Sequence, residues 1–148
     1  MLTMIRVLPI LIVEDSPEDF ETIIRALKSA SFPNPIVHCS DGDEALDYLF
    51  PENVDAEEFA GRRPAIVLLD LNLPGTTGHE VLARMKGDAF LKKIPVIVFT
   101  SSNNEADVTE CYAAGANSYL QKPVDFMRYK STLQHMVKHW LQDVTLPE

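Results

Sequence analysis

Glycine, cysteine and positive charge are all in short supply in this chain of 148 residues. Six glycines are present. None stands in the turn after the first apolar run, which reads Glu14-Asp15-Ser16-Pro17-Glu18-Asp19. A pyrophosphate needs glycines and open amides at such a turn, so dinucleotide binding is excluded. The two cysteines, Cys39 and Cys111, lack metal-type spacing and make no disulfide framework. They read as reduced thiols in or near a core, which suits a cytoplasmic protein. Thirteen Lys and Arg against twenty-two Asp and Glu leave a formal net charge of -9. Such a surface repels nucleic-acid backbones and anionic membranes, so neither is expected as a partner. No apolar run has the length of a membrane span. Residues 1–6 have no basic start, long apolar middle or small-residue cleavage point, so they do not read as a secretory leader. Internal repeats, low-complexity tracts and linkers are also missing, and the length suits one domain, residues 1–148, with no output domain attached.

What is present is a series of short apolar runs that end in polar groups. Ile10-Leu11-Ile12-Val13 ends in Glu14-Asp15, and Ala65-Ile66-Val67-Leu68-Leu69 ends in Asp70 before Leu71-Asn72-Leu73-Pro74. Val96-Ile97-Val98-Phe99 ends in Thr100-Ser101, and Tyr119-Leu120-Gln121 ends in Lys122-Pro123. Between the runs, apolar residues recur at one-face helical spacing, as in Phe20, Ile23, Ile24 and Leu27. Helix starts carry caps: Ser16 before Pro17, Thr77 with Glu80 three residues on, and Asn103 or Asn104. Five strands, about Val7 to Val13, Ile36 to Cys39, the run to Asp70, Val96 to Phe99 and Ser118 to Gln121, are each followed by a helix. This predicts an α/β fold: one doubly wound, five-stranded parallel sheet, order 2-1-3-4-5, flanked by five helices in the flavodoxin-like manner. The stretch 50–64, with two prolines, a glycine and four acids before Arg62-Arg63, reads as an exposed excursion with one helical turn near Ala56-Phe59.

In such a sheet the carboxyl ends of the strands converge on one pocket. Glu14, Asp15, Asp70, Thr100 and Lys122 would meet there. Three carboxylates held together repel unless a cation sits among them. Mg2+ suits the set, because it takes oxygen ligands, keeps waters and needs only one or two carboxylates. Asp15 and Asp70 are the expected direct ligands, Glu14 acts through water, and Asn72 offers its backbone carbonyl. Three acids against Mg2+ plus Lys122 make a neutral resting site. A phosphoryl group on Asp70 adds roughly one to two negative charges and fresh acceptors. Lys122 can pair with one oxygen and the Thr100 hydroxyl with another, which moves the loop behind Thr100. Asp70 is a reasonable nucleophile, and no side chain reads as a dedicated general base. The chain therefore reads as an acceptor rather than an enzyme, capable at most of self-phosphorylation from small donors and self-dephosphorylation.

Val13-Glu14-Asp15, Asp70 with Leu-Asn-Leu-Pro, Thr100, and Tyr119 three before Lys122-Pro123 together resemble the receiver domain of two-component response regulators (CheY-like). The resemblance covers nearly the whole chain. It implies that Asp70 is the phosphoacceptor, Glu14 and Asp15 the metal acids, Thr100 the switch hydroxyl and Lys122 the phosphate-pairing lysine. It also implies that Tyr119 is a switch aromatic that turns inward, that the Lys122-Pro123 bond is cis, and that a histidine kinase is the donor. Thr77 stands where many relatives carry aspartate, and Ser101 where a small apolar residue is common. The 50–64 excursion, the Asp-Leu-Asn-Leu-Pro wording and Leu91-Lys92-Lys93-Ile94-Pro95-Val96 resemble stand-alone regulators paired with cyanobacterial and other bacterial phytochromes.

Glu14-Asp15 could be a solvated strand end, Thr100 a turn residue and Tyr119 a half-buried strand aromatic. His135 and His139 share a helical face but have no apparent third metal ligand. His38 and His79 show no partner in the sequence. The last helix, about Asp125 to Asp143, carries more apolar residues than one buried face needs, so a homodimer through it and the face beside Tyr119 is expected. The rival functions are a phosphorylation-independent binding module on the same fold, which normally lacks one of these groups, and a magnesium phosphohydrolase, which wants an acid where Asn72 stands.

Overall fold

The computed structural model of the protein describes residues 7–147. Residues 1–6, which do not read as a secretory leader, lie outside the described residues. The elements run β1 (Ile10–Val13), α1 (Pro17–Lys28), β2 (Ile36–Cys39), α2 (Gly42–Leu49), α3 (Ala56–Ala60), β3 (Ile66–Leu69), α4 (Gly78–Lys86), β4 (Val96–Thr100), α5 (Glu105–Ala113), β5 (Ser118–Gln121) and α6 (Phe126–Lys138). A 3-10 turn, Leu91–Lys93, precedes β4, and a wider π-type turn, His139–Asp143, prolongs α6. All five strands are parallel, in the order β2-β1-β3-β4-β5.

The central strands are apolar throughout because both faces of the sheet are covered. Alternation and register divide the core in two. Leu11, Val13, Val67, Leu69, Val96 and Val98 point to one face, where Ala45 and Leu49 of α2, Val81, Leu82 and Met85 of α4, and Cys111 of α5 meet them. Ile10, Ile12, Ile66, Leu68, Ile97 and Phe99 point to the other. There they pack on Ile23, Ala26 and Leu27 of α1 and on Tyr129, Leu133, Met136 and Val137 of α6.

Side-chain caps set the helix starts. Ser16 Oγ accepts from Asp19 N at 3.2 Å, Thr77 Oγ1 from Glu80 N at 3.2 Å, and Asn104 Oδ1 from Ala106 N at 2.8 Å. Of the two asparagines considered, Asn104 is therefore the cap of α5.

Three expectations need correction. β1 starts at Ile10 rather than Val7, since Pro9 has no N–H to give the ladder; its carbonyl still accepts from Ala65 N at 2.8 Å. Six α-helices are present among the described residues, not only the five expected to flank the sheet: the sixth, α3, is the helical turn expected in the excursion near Ala56-Phe59, capped by Asp55, whose carboxylate accepts from Glu58 N at 2.7 Å. The excursion is also fastened at its base. The Tyr48 hydroxyl donates to Arg62 O at 2.8 Å, and the Arg62 guanidinium lies 5.0 Å from the Tyr48 ring centroid. Third, no described peptide bond is cis, so Lys122-Pro123 is trans; trans is the form X-Pro bonds favour by about 0.5–1 kcal/mol.

Leu133 is fully buried where α6 meets the sheet. Leu133→Ala is expected to lower unfolding stability by about 2–5 kcal/mol, read as a drop in the urea midpoint at unchanged m-value.

Candidate functional site

The site residues stand one step beyond the strands, on backbone the ladder still holds. Glu14 N donates to Cys39 O at 3.0 Å, Asp70 N to Val13 O at 3.1 Å, and Lys122 N to Thr100 O at 2.7 Å. A carboxylate or ammonium so placed is aimed by the sheet rather than by a free loop.

The three long-range partners meet at Lys122. Its Nζ lies 2.6 Å from Glu14 Oε1, 2.8 Å from Asp19 Oδ2 and 2.9 Å from Asp70 Oδ2. Glu14 and Asp70 are buried, and so is the Lys122 side chain, which lies 5.9 Å from the Phe99 ring centroid. Asp15 sits exposed at the rim, and a carboxylate oxygen of each of Glu14, Asp15 and Asp70 lies within 4.8 Å of the others. Asn72 is in the same rim, its N–H donating to Asp70 Oδ1 at 3.3 Å. The five predicted residues Glu14, Asp15, Asp70, Asn72 and Lys122 are thus brought together.

Thr100 is fully buried and, among the described residues, its hydroxyl has no partner. A buried hydroxyl left unpaired is uncommon and asks for an acceptor. Tyr119 is half-buried against the core, and its hydroxyl donates to Ser102 O at 2.9 Å. Thr100 and Tyr119, the residues expected to switch, thus border one loop, and the aromatic is bonded to it at Ser102.

Three site residues escaped the sequence reading. Asp19 reads as a first-turn acid that favours the helix dipole, yet it is the third partner of Lys122. It raises the count to four carboxylates, so a divalent ion and Lys122 leave the site one charge negative rather than neutral. His38, read as partnerless, faces the Glu14 carbonyl through Nε2 at 2.8 Å and stacks on Phe20 with centroids 3.6 Å apart. It holds the backbone that carries Glu14. Gly78 is required because a Cβ there would stand 2.2 Å from the Asp70 carbonyl oxygen. The absence of a side chain lets α4 begin directly on the Asp70 loop. His135 and His139, by contrast, join no cluster of ligating groups among the described residues.

The charges compete. Burial, and then the Asp70 charge, push the Glu14 carboxyl up from 4.5 to about 7, although Lys122 pulls the other way. Hydrogen bonds to Asp19, Glu14 and Asp70 outweigh burial and hold Lys122 firmly charged. One ammonium shared by three acids cannot satisfy all of them, so a further cation belongs here. The donor set is all oxygen, which fits a hard divalent ion.

Comparison with known proteins agrees with this geometry. Residues 10–134 match the response regulator receiver domain family. The chain belongs to that family of two-component response regulators. It is 41% identical over 133 residues to the probable methanogenesis regulatory protein FilR2 of Methanothrix harundinacea, covering 89% of this chain and 83% of the relative. It is 38% identical over 138 residues to response regulator Rcp1 of Synechocystis, covering 93% and 92%. A crystal structure of the Mn(2+)-bound form of Rcp1 superposes with a TM-score of 0.84, covering 94% of this chain and 98% of that one. The phosphorylated cyanobacterial phytochrome response regulator RcpA superposes with a TM-score of 0.85 at 38% identity, covering 95% and 98%.

Because the folded-state value of Glu14 lies above its ordinary one, its contribution to stability is fully present below pH 4.5 and fades as pH rises through about 7. In chelator-treated buffer, urea midpoints should fall across that window, by about 3 kcal/mol in unfolding free energy. Glu14→Gln should flatten the profile, and a divalent cation should restore the stability lost at the upper end.

Proposed function

We propose that this protein is a phosphoacceptor switch and that Asp70 takes its phosphoryl group from a histidine kinase. The observation that carries the reading is the Lys122 ammonium bonded to both Glu14 and Asp70, beside a buried Thr100 hydroxyl without a partner. A carboxylate oxygen of Asp70 attacks the phosphorus of the partner's phosphohistidine. The new P–O bond forms as the P–N bond breaks, and the imidazole leaves with the electron pair. Such transfer asks mainly for positioning and charge stabilisation. Glu14, Asp15, Asp70 and the Asn72 carbonyl are the groups that would hold Mg2+, which supplies neutralisation of the phosphoryl oxygens when bound. Lys122 pairs with one phosphoryl oxygen and Thr100 donates to another. The shift of Thr100 is passed to the Ser101-Ser102 loop, to which the Tyr119 hydroxyl is bonded.

The chain is an acceptor rather than an enzyme in its own right, limited to self-phosphorylation from small donors and self-dephosphorylation. Its output is a protein contact. The likeness to Rcp1 and RcpA supports a phytochrome-type kinase as donor and a cytoplasmic setting. Val124 is wholly exposed and Met127 is 69% exposed close to Lys122 in the chain, which supports contact with a donor protein on that side. A homodimer through α6 and β5 is supported by an apolar hollow of about 290 Å³ on that face, lined by Leu120, Met136 and Trp140. The binding-module alternative has nothing in its favour, since every group of the phosphoacceptor set is retained.

Acetyl phosphate with Mg2+ should add one phosphoryl group, seen by intact mass. Asp70→Asn should take none, and labelling of that variant would refute the assignment. Sedimentation of the purified chain should give a dimer, whereas a monomer both with and without acetyl phosphate would remove the α6–β5 interface from the proposal.

A further inference from the structure

A run of side-chain hydrogen bonds, separate from Thr100 and Lys122, joins the Asp70 loop to Tyr119. The Tyr119 hydroxyl donates to Ser102 O at 2.9 Å. Ser102 Oγ donates to Asp107 Oδ2 at 2.6 Å, and Asp107 Oδ1 lies 3.1 Å from His79 Nε2. An ionised carboxylate only accepts, so Ser102 O–H and His79 Nε2–H are both donors. Its other nitrogen, Nδ1, faces Cys111 Sγ at 3.9 Å and Glu110 Oε2 at 3.9 Å. Burial pushes the Cys111 thiol up to about 11, so it keeps its proton and can donate to Nδ1. The Ser102 hydroxyl, more than His79, holds the Asp107 carboxyl below its ordinary value.

The position of His79 gives these bonds their meaning. It is the second residue of α4, next to Gly78, whose N–H donates to Leu71 O at 3.1 Å. A Cβ at Gly78 would stand 2.6 Å from Leu71 Cα as well as against Asp70 O. The start of α4 is therefore seated on the loop that carries Asp70, and His79 travels with it. At the other end, Ser102 Oγ also accepts from Asn104 N at 3.3 Å, which shapes the loop after β4. His79 and Asp107 are about one-third exposed, at 33% and 29%, so their bond is only partly open to water.

We infer that His79 is a positioning residue of the switch: through Asp107 and Ser102 it fixes the carbonyl that receives the Tyr119 hydroxyl. The inference rests on the phosphoacceptor reading of Asp70. Without His79, Asp107 keeps only the Ser102 hydroxyl and can follow it into solvent. Ser102 then no longer presents a fixed acceptor, and Tyr119 loses the bond that holds its ring against the core.

The experiment is 19F NMR on the full chain labelled with 3-fluorotyrosine, the Tyr119 signal being assigned with Tyr119→Phe. Beryllofluoride with Mg2+ serves as the acyl-phosphate mimic. In the parent protein the Tyr119 signal should shift on adding the mimic. In His79→Ala and Ser102→Ala it should start nearer the free-fluorotyrosine position and lose most of that response. His79→Gln, which can still offer an N–H to Asp107, should retain part of it. Variants that bind the mimic and give the parent Tyr119 signal and response would overturn the role of His79. A parent protein in which no signal responds to the mimic would instead refute the phosphoacceptor reading. Should His79→Ala not fold, His79→Phe, which keeps a ring but offers no N–H to Asp107, carries the same test.

Discussion

The Lys122 ammonium is bonded at once to Glu14, Asp19 and Asp70, and those acids come from the end of β1, the first turn of α1 and the end of β3. Lys122 itself follows β5. A single buried cation thus ties together distant parts of the chain. The arrangement is tolerable only because each acid has other support: Ser16 N–H on Glu14, Asn72 N–H on Asp70, and solvent on Asp19. Removing the lysine would leave buried carboxylates facing one another. Bringing in a divalent ion relieves the same repulsion from the other side. The stability of this edge of the sheet and its capacity to accept charge are therefore one property.

That property depends on rigid placement. The site residues sit where ladder hydrogen bonds continue past the strands, so the sheet fixes their backbones to each other. The core beneath is divided by simple alternation into two layers, each sealed by its own helices. Parallel strands buried on both faces leave little freedom to slip, because a shift of one residue would exchange the two layers.

Much of this was legible in the chain. Apolar runs that end in Glu14-Asp15, Asp70, Thr100 and Lys122 are read directly from period and punctuation, and the sheet order follows from right-handed crossovers. The helix caps were legible for the same reason: Ser16, Thr77 and Asn104 act within three residues of themselves. What escaped was set by distance in sequence. Asp19 looks like any acid in a first turn until the fold brings Lys122 to it. His38 and His79 look solitary because their partners are 24 and 28 positions away. Gly78 carries no pattern of its own; only the closeness of α4 to the Asp70 carbonyl explains it. The trans bond before Pro123 departs from what family resemblance implies, and the sequence offers no local signal for either form.

The excursion between α2 and β3 closes on itself through Tyr48 and Arg62 and contributes no group to the acid cluster. Its burden on the fold is mainly entropic. Lengthening a loop is mild in that respect, since each doubling adds only about 0.6 kcal/mol of closure entropy. The aromatic-guanidinium clasp shortens the effective loop further by joining its two ends. Beyond Phe50 and Phe59, which pack on the core, this segment can therefore be lengthened at small cost while the chemistry at the opposite end of α2 and β3 stays as it is.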